Sequence, residues 1–170
     1  TNQEIFSSTN IYKPLTQRNS YYITNRRKLL SLIQSINSKL DFNSQTFFLA
    51  VLYMDIIFKK IKLESFRDLF LYSLSCLVIS SKFNENDPRV PDLYKFLNVS
   101  SDISNKEYYF SLDEIRQTEV NCLQLLEYKL NYFSVYHFLV FFFSHGIVFK
   151  HVFEKSGKSI NKKKALERIY

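Results

Sequence analysis

Residues 45–60 read QTFFLAVLYMDIIFKK, and this run decides the fold. Phe47 to Met54 are apolar without a break, and Ile56, Ile57 and Phe58 continue the pattern. A helix that is apolar nearly all round is buried on several sides. Asp55 stands inside the run. An unpaired buried carboxylate is costly, so Asp55 requires a partner. The run is too short to span a bilayer, as is the Phe-rich stretch from Val135 to Phe143.

Downstream, Ser65 with Asp68 three residues on is a weak capping pair for a third helix. Its stripe is Phe66, Leu69, Phe70, Leu74, Leu77 and Val78, while Leu71, Cys76 and Ile79 lie elsewhere on its surface, so it too is expected to be central. The helix should end at Lys82-Phe83, before the polar stretch Asn84 to Asp87. Asp87-Pro88 suits a cap with proline in the first turn of a short fourth helix running to Leu97. Residues 98–110 read as a polar loop. Ser111 and Glu114 form a capping box for a fifth helix with the stripe Leu112, Ile115, Glu119, Cys122, Leu123, Leu126 and Leu130. Glu119 is the odd member, a charge on an apolar face. Ser134 is a candidate cap for a sixth helix ending at Gly146. Upstream, Thr24 is a candidate cap for a first helix whose stripe is Leu29, Leu32, Ile33 and Ile36, and Asp41 to Ser44 form the turn into the second.

Composition agrees with helices. The chain has 170 residues and is 46% hydrophobic, enough for one domain with a real core. It has two glycines and none before Gly146. Hairpin turns need residues at positive φ, which glycine supplies most easily, so a small β-rich domain is not expected. The expectation is an all-α fold. Residues 1–21 would be an N-terminal arm, 22–146 one helical domain of five core helices plus an extra C-terminal helix, and 147–170 a basic, flexible tail.

The net charge is +7. The stretch from Lys150 onward holds seven cations against Glu154 and Glu167, so the body is close to balanced. Lys155, Lys158, Lys162, Lys163, Lys164 and Arg168 are candidate nucleic-acid contacts, set against a plain solvated end. Cys76 and Cys122 sit in apolar stretches without metal-ligand spacing and read as reduced core residues of an intracellular protein. The N-terminus carries no charged-then-apolar leader, so secretion is not expected.

The segment Thr46 to Asp55 resembles the second helix of the cyclin box. Cys76-Leu77-Val78-Ile79-Ser80-Ser81-Lys82-Phe83-Asn84-Glu85 resembles the end of its third helix, and Thr118-Glu119 through Leu130, then Ser134 to Leu139, its fifth helix and exit. The three pieces occur in order, and the resemblance covers about residues 23–143. It implies a cyclin-box-like fold in which Lys82 and Glu119 lie near each other and face a partner, with Phe83, Leu123 and Tyr128 in the same contact region. An intramolecular Lys82–Glu119 salt bridge, or a helix-end role for Lys82, is the alternative reading. The resemblance also implies a structural ion pair between Asp55 and an Arg of the first helix. Gapless counting gives Arg26, with Arg27 the alternative. Asn25 and Leu32 stand where cell-cycle cyclins carry the Met and Trp of a first-helix docking patch, so substrate recruitment through that patch is not carried over. Two-box cyclins continue with a second helical repeat, whereas this chain ends soon after the first. It reads either as a one-box member or as a divergent relative with a different partner.

No catalytic constellation stands out. There is no Gly-rich phosphate loop, His137, His145 and His151 lack metal-site spacing, and no serine sits in an elbow motif. Neither enzymatic activity, cofactor, metal, membrane contact nor small-molecule substrate is expected. The leading expectation is a regulatory subunit that binds and activates or positions a protein kinase. The alternative is a scaffold in a DNA-, chromatin- or transcription-acting complex, such as a nucleic-acid methyltransferase assembly, with the tail near nucleic acid. Either role places the protein in the nucleus or between nucleus and cytoplasm.

Overall fold

The apolar run at 45–60 forms helix α2 (Ser44–Lys60) in the computed structural model, which describes residues 20–145. The other helices are α1 (Ser20–Lys39), α3 (Phe66–Asn84), α4 (Leu93–Ile103), α5 (Leu112–Leu125) and α6 (Val135–Ser144), with a 3-10 turn at Asp87–Arg89. No strand occurs among the described residues. Helices α1 to α5 belong to one unit that ends at Tyr132, and α6 belongs to a second that begins at Phe133.

The first unit is built around α3. Every residue from Leu69 to Ser81 except Tyr72 is buried. The helix packs against α2, α5 and α1. Four of its buried positions are serines, which let neighbouring helices come close. Each hydroxyl stays within the helix: Ser73 donates to the Leu69 carbonyl at 2.7 Å, Ser75 to Leu71 at 3.0 Å, Ser80 to Leu77 at 3.0 Å and Ser81 to Val78 at 2.9 Å. A buried polar group so paired costs little, while a larger side chain would have no room. Ser75→Ala should therefore shift unfolding stability by no more than about 1 kcal/mol. Ser75→Leu should lose about 1–3 kcal/mol through overpacking. Urea unfolding of both variants checks this, and equal stability would mean α3 is not sterically filled at that face.

Around α3 the core consists of Leu29, Ile33 and Ile36 of α1, Leu49, Tyr53, Met54, Ile57 and Phe58 of α2, and Ile115 and Cys122 of α5. Cys76 and Cys122 are both buried free thiols. Burial, first of all, holds the Cys76 thiol well above its ordinary pKa. At the other end of the bundle Arg67 of α3 donates to Glu114 of α5 at 2.6 Å and stacks over the Phe110 ring. The Ser111 N–H, then Arg67, hold the Glu114 carboxyl below the usual carboxylate range.

Several boundaries differ from the sequence reading. Helix α1 starts at Ser20, so Thr24 lies inside it and does not cap it. The added turn is fastened by Tyr22, which is fully buried, with its ring 4.4 Å from that of Phe58. Ser65 precedes α3 but makes no side-chain cap bond, so the Ser65–Asp68 pair does not form. Asp87-Pro88 starts only a 3-10 turn, and the cap of α4 is Asp92, whose carboxylate accepts from the Lys95 N–H at 2.8 Å. Helix α4 then continues through residues 98–103, part of the expected loop, because Phe96 and Ser100 are buried against the bundle. The Ser111–Glu114 capping box is present in both directions. In the second unit Ser134 and His137 form a reciprocal capping arrangement, and α6 ends at Ser144. The candidate nucleic-acid residues Lys155 to Arg168 lie outside the described residues, as do most of the arm and all of the basic tail.

Candidate functional site

Two helix ends and one helix face supply the residues singled out for partner contact. Lys82 and Phe83 close α3, just after the buried Ser80 and Ser81. Glu119 lies midway along α5, on the turn that also buries Thr118. The Thr118 hydroxyl donates to the Glu114 carbonyl at 2.7 Å, so it uses no group of the face itself. Lys82 Nζ donates to Glu119 Oε1 at 2.6 Å, so the intramolecular salt bridge of the alternative reading forms in the free chain, between residues 37 apart in sequence. The Glu119 side chain is only 14% exposed and that of Lys82 is 48% exposed, so the pair forms an edge between core and solvent. Phe83, at 49%, is an exposed apolar ring beside it. Leu123 follows Glu119 by one helical turn and is half-buried on the core. Val120 is also exposed on α5. Beyond the helix end Tyr128 is exposed as well. The surface thus offers one charge pair with open apolar neighbours. Helix-binding grooves use such neighbours as pockets.

The end of α3 is held by a residue that sequence reading placed in a polar loop. Glu85 is 7% exposed, and its carboxylate accepts from the Asn43 N–H at 2.7 Å, from Asn43 Nδ2 at 2.8 Å and from the Thr46 hydroxyl. Asn84 Nδ2 donates to the same Thr46 oxygen at 2.8 Å. Asn43 is the residue before α2, yet its own side chain makes no cap bond. Glu85 therefore caps α2 from another helix, where the helix dipole favours a negative charge. It ties the segment carrying Lys82 and Phe83 to the start of α2. Glu85→Ala should cost about 2–3 kcal/mol, because several donors lose a charged acceptor. Thermal unfolding is the check, and an unchanged midpoint would remove this clamp from the account.

The ion pair of the first two helices is made by Arg26. Its Nε donates to Asp55 Oδ1 at 3.0 Å and its Nη2 to Oδ2 at 2.8 Å. Tyr22 adds a third donor, its hydroxyl lying 2.6 Å from Oδ1. Burial, then the Asp55 charge, push the Tyr22 phenol far above its ordinary pKa. The hydrogen bond to Asp55 raises that of Arg26. Arg27 is exposed. Asn25 donates to the Tyr21 carbonyl, and Leu32 is half-buried against the core.

Among the described residues no group of three His, Cys, Asp or Glu side chains is placed to hold a metal ion. No described helix is long and apolar enough to cross a membrane.

Residues 1–131 match the family model described as cyclin, N-terminal domain. Cyclin-J of Homo sapiens is 25% identical over 122 residues, covering 72% of this chain and 32% of the relative. Cyclin-J-like protein of Mus musculus is 22% identical over 129 residues, covering 76% and 33%. Cyclin-D5-1 of Arabidopsis thaliana is 26% identical over 114 residues, covering 65% and 33%. The chain thus spans about a third of the length of the curated relatives it matches.

Proposed function

The chain belongs to the cyclin family through its N-terminal domain, and from that premise we propose that it is a non-catalytic regulatory subunit that binds a protein kinase. The observation that carries this reading is the Lys82–Glu119 pair at the edge of α3 and α5, with Phe83 open beside it. A kinase helix laid across this face would meet one cation, one anion and exposed apolar side chains. Holding that helix inward would complete the kinase's own Lys–Glu ion pair, which phosphoryl transfer requires. The subunit contributes position, and the chemistry stays in the kinase.

A second reading is a scaffold in a nucleic-acid-modifying complex, favoured by the concentration of positive charge from Lys150 onward. Either role places the protein in the nucleus or between nucleus and cytoplasm. Affinity purification from the native cell, followed by mass spectrometry, separates the two. The first reading expects a protein kinase at stoichiometric yield. Methyltransferase or chromatin subunits at that yield, with no kinase, would replace it by the second. Deleting residues 155–168 tests the tail. A nucleic-acid role requires weaker binding with a flatter salt dependence, since each phosphate contact releases counterions. Equal affinity would leave it a solvated end.

A further inference from the structure

Helix α1 has two flanks beside its buried stripe, and they differ. Asn25, Lys28 and Leu32 share one of them, at steps of three and four residues. That flank turns toward α3: Lys28 Nζ lies 4.3 Å from the centre of the Phe66 ring, and Leu32 packs on the core. Ile23, Arg27, Leu30 and Gln34 form the opposite flank, with Arg26 and Ser31 beside them. These six residues line a groove of about 520 Å³. Binding sites commonly measure about 300–1,000 Å³.

The groove combines apolar surface with positive charge. Ile23 is 44% exposed, and Leu30 is half-buried two turns further on. Between them Arg27 is exposed and has no hydrogen bond or ion pair among the described residues. None of the six lining residues is acidic. Asp55, beside Arg26, already accepts from Arg26 and Tyr22. The Arg27 guanidinium is therefore open to a carboxylate from outside, which its planar fork grips through two parallel bonds. The exposed Gln34 side chain adds an amide that pairs with an extended backbone.

The spacing suits an extended occupant. Ile23 and Arg27 stand about 6 Å apart along the helix axis. Alternate residues of an extended chain face the same way and lie about 6.6 Å apart. From Ile23 to Gln34 the flank runs about 16 Å, the length of about five extended residues. Charge complementarity selects an acidic occupant, because a second copy packed flank to flank would set Arg27 against Arg27.

We propose that this flank of α1 is a docking groove for an extended, acidic segment of a partner protein. Arg27 takes its carboxylate, and an apolar side chain two residues away packs on Ile23. The groove lies on a different helix from the Lys82–Glu119 pair and does not depend on the kinase reading.

The test presents a library of random short peptides to the full chain and reads the enriched sequences. Asp or Glu with an apolar residue two positions away should be enriched. The most enriched peptide, resynthesised, should bind Arg27→Gln more weakly on the order of tenfold or more. Ile23→Ser should weaken it severalfold. Lys28→Gln, which removes one charge from the other flank, should leave affinity within about twofold. Selection on Arg27→Glu should switch the preference to Lys or Arg. Arg27 supports no contact of the fold, so its variants should melt within about 2 °C of the wild-type chain. No enrichment, enrichment without an acid, or equal losses from Arg27→Gln and Lys28→Gln would overturn the proposal. Acidic binders that emerge only after Glu4→Lys would overturn it too, because Glu4 is the sole carboxylate side chain of residues 1–19 and the chain's own arm would then be the occupant. A wild-type dimer that Arg27→Gln dissociates would assign the flank to a second copy and overturn it as well.

Discussion

Replacing Lys82 and Glu119 together by alanine should abolish kinase binding while leaving the free domain folded. Lys82 is nearly half-exposed in the free chain. Glu119 is only 14% exposed, but both partners are removed together and no charge is left unpaired, so the free domain should stay folded with a melting midpoint lowered by no more than a few degrees. In a complex the same groups would be desolvated against a partner. Truncating a buried, hydrogen-bonded charged contact costs about 2–5 kcal/mol, or about thirtyfold to several-thousandfold in affinity. Exchanging the charges, with Lys82→Glu and Glu119→Lys, separates the two uses of the pair. The exchange keeps an internal salt bridge but shows the partner the reverse pattern. Binding should stay lost. Recovery of binding by the exchanged chain would mean that the pair serves only the fold.

A large stability loss, matched among polar substitutions by that of Glu85→Ala, should come from Asp55→Ala. Asp55 accepts from Arg26 twice and from Tyr22 once. Its removal strands a fully buried Tyr22 hydroxyl and a partly buried guanidinium. Breaking a buried pair costs about 3–5 kcal/mol, and the side chains here remain 35% and 24% exposed, so about 2–3 kcal/mol is expected. For a chain of this size that lowers the midpoint by roughly 4–12 °C. Tyr22→Phe should cost less, about 1 kcal/mol, since it removes one donor and keeps the ring against Phe58. A midpoint unchanged by Asp55→Ala would mean that α1 and α2 are not joined there.

Much of this fold is legible in the residues. The run at 45–60 and the missing glycines announce a helical bundle, and the Ser111–Glu114 box marks the start of α5 to the residue. What escaped depends on tertiary contact. Nothing local says that Ser20 opens α1, because the turn is held by Tyr22 meeting Asp55 and Phe58 across the bundle. The same contact accompanies the choice of Arg26 over Arg27, which spacing alone left open. Asp87-Pro88 and Asp92 are both good helix starts, and burial of Phe96 and Ser100 favours the second.

The candidate site divides the same way. Glu119 stood out on its own helix as a charge on an apolar face. Its approach to Lys82, 37 residues away, came only from the family resemblance. Glu85 looked like part of a polar loop, and its capping of α2 emerges only when the end of α3 meets Asn43 and Thr46.

The central claim is that this domain regulates a protein kinase by docking on the α3–α5 edge. Its most direct test is a titration of the co-purified kinase, stripped of the chain, with the wild-type chain and with the Lys82→Ala/Glu119→Ala chain. Phosphate transfer to a peptide substrate is the readout. The wild-type chain should raise activity to a plateau at one chain per kinase, and the variant should leave it at the basal level. Activity that stays flat with the wild-type chain, or rises equally with both, would contradict the claim.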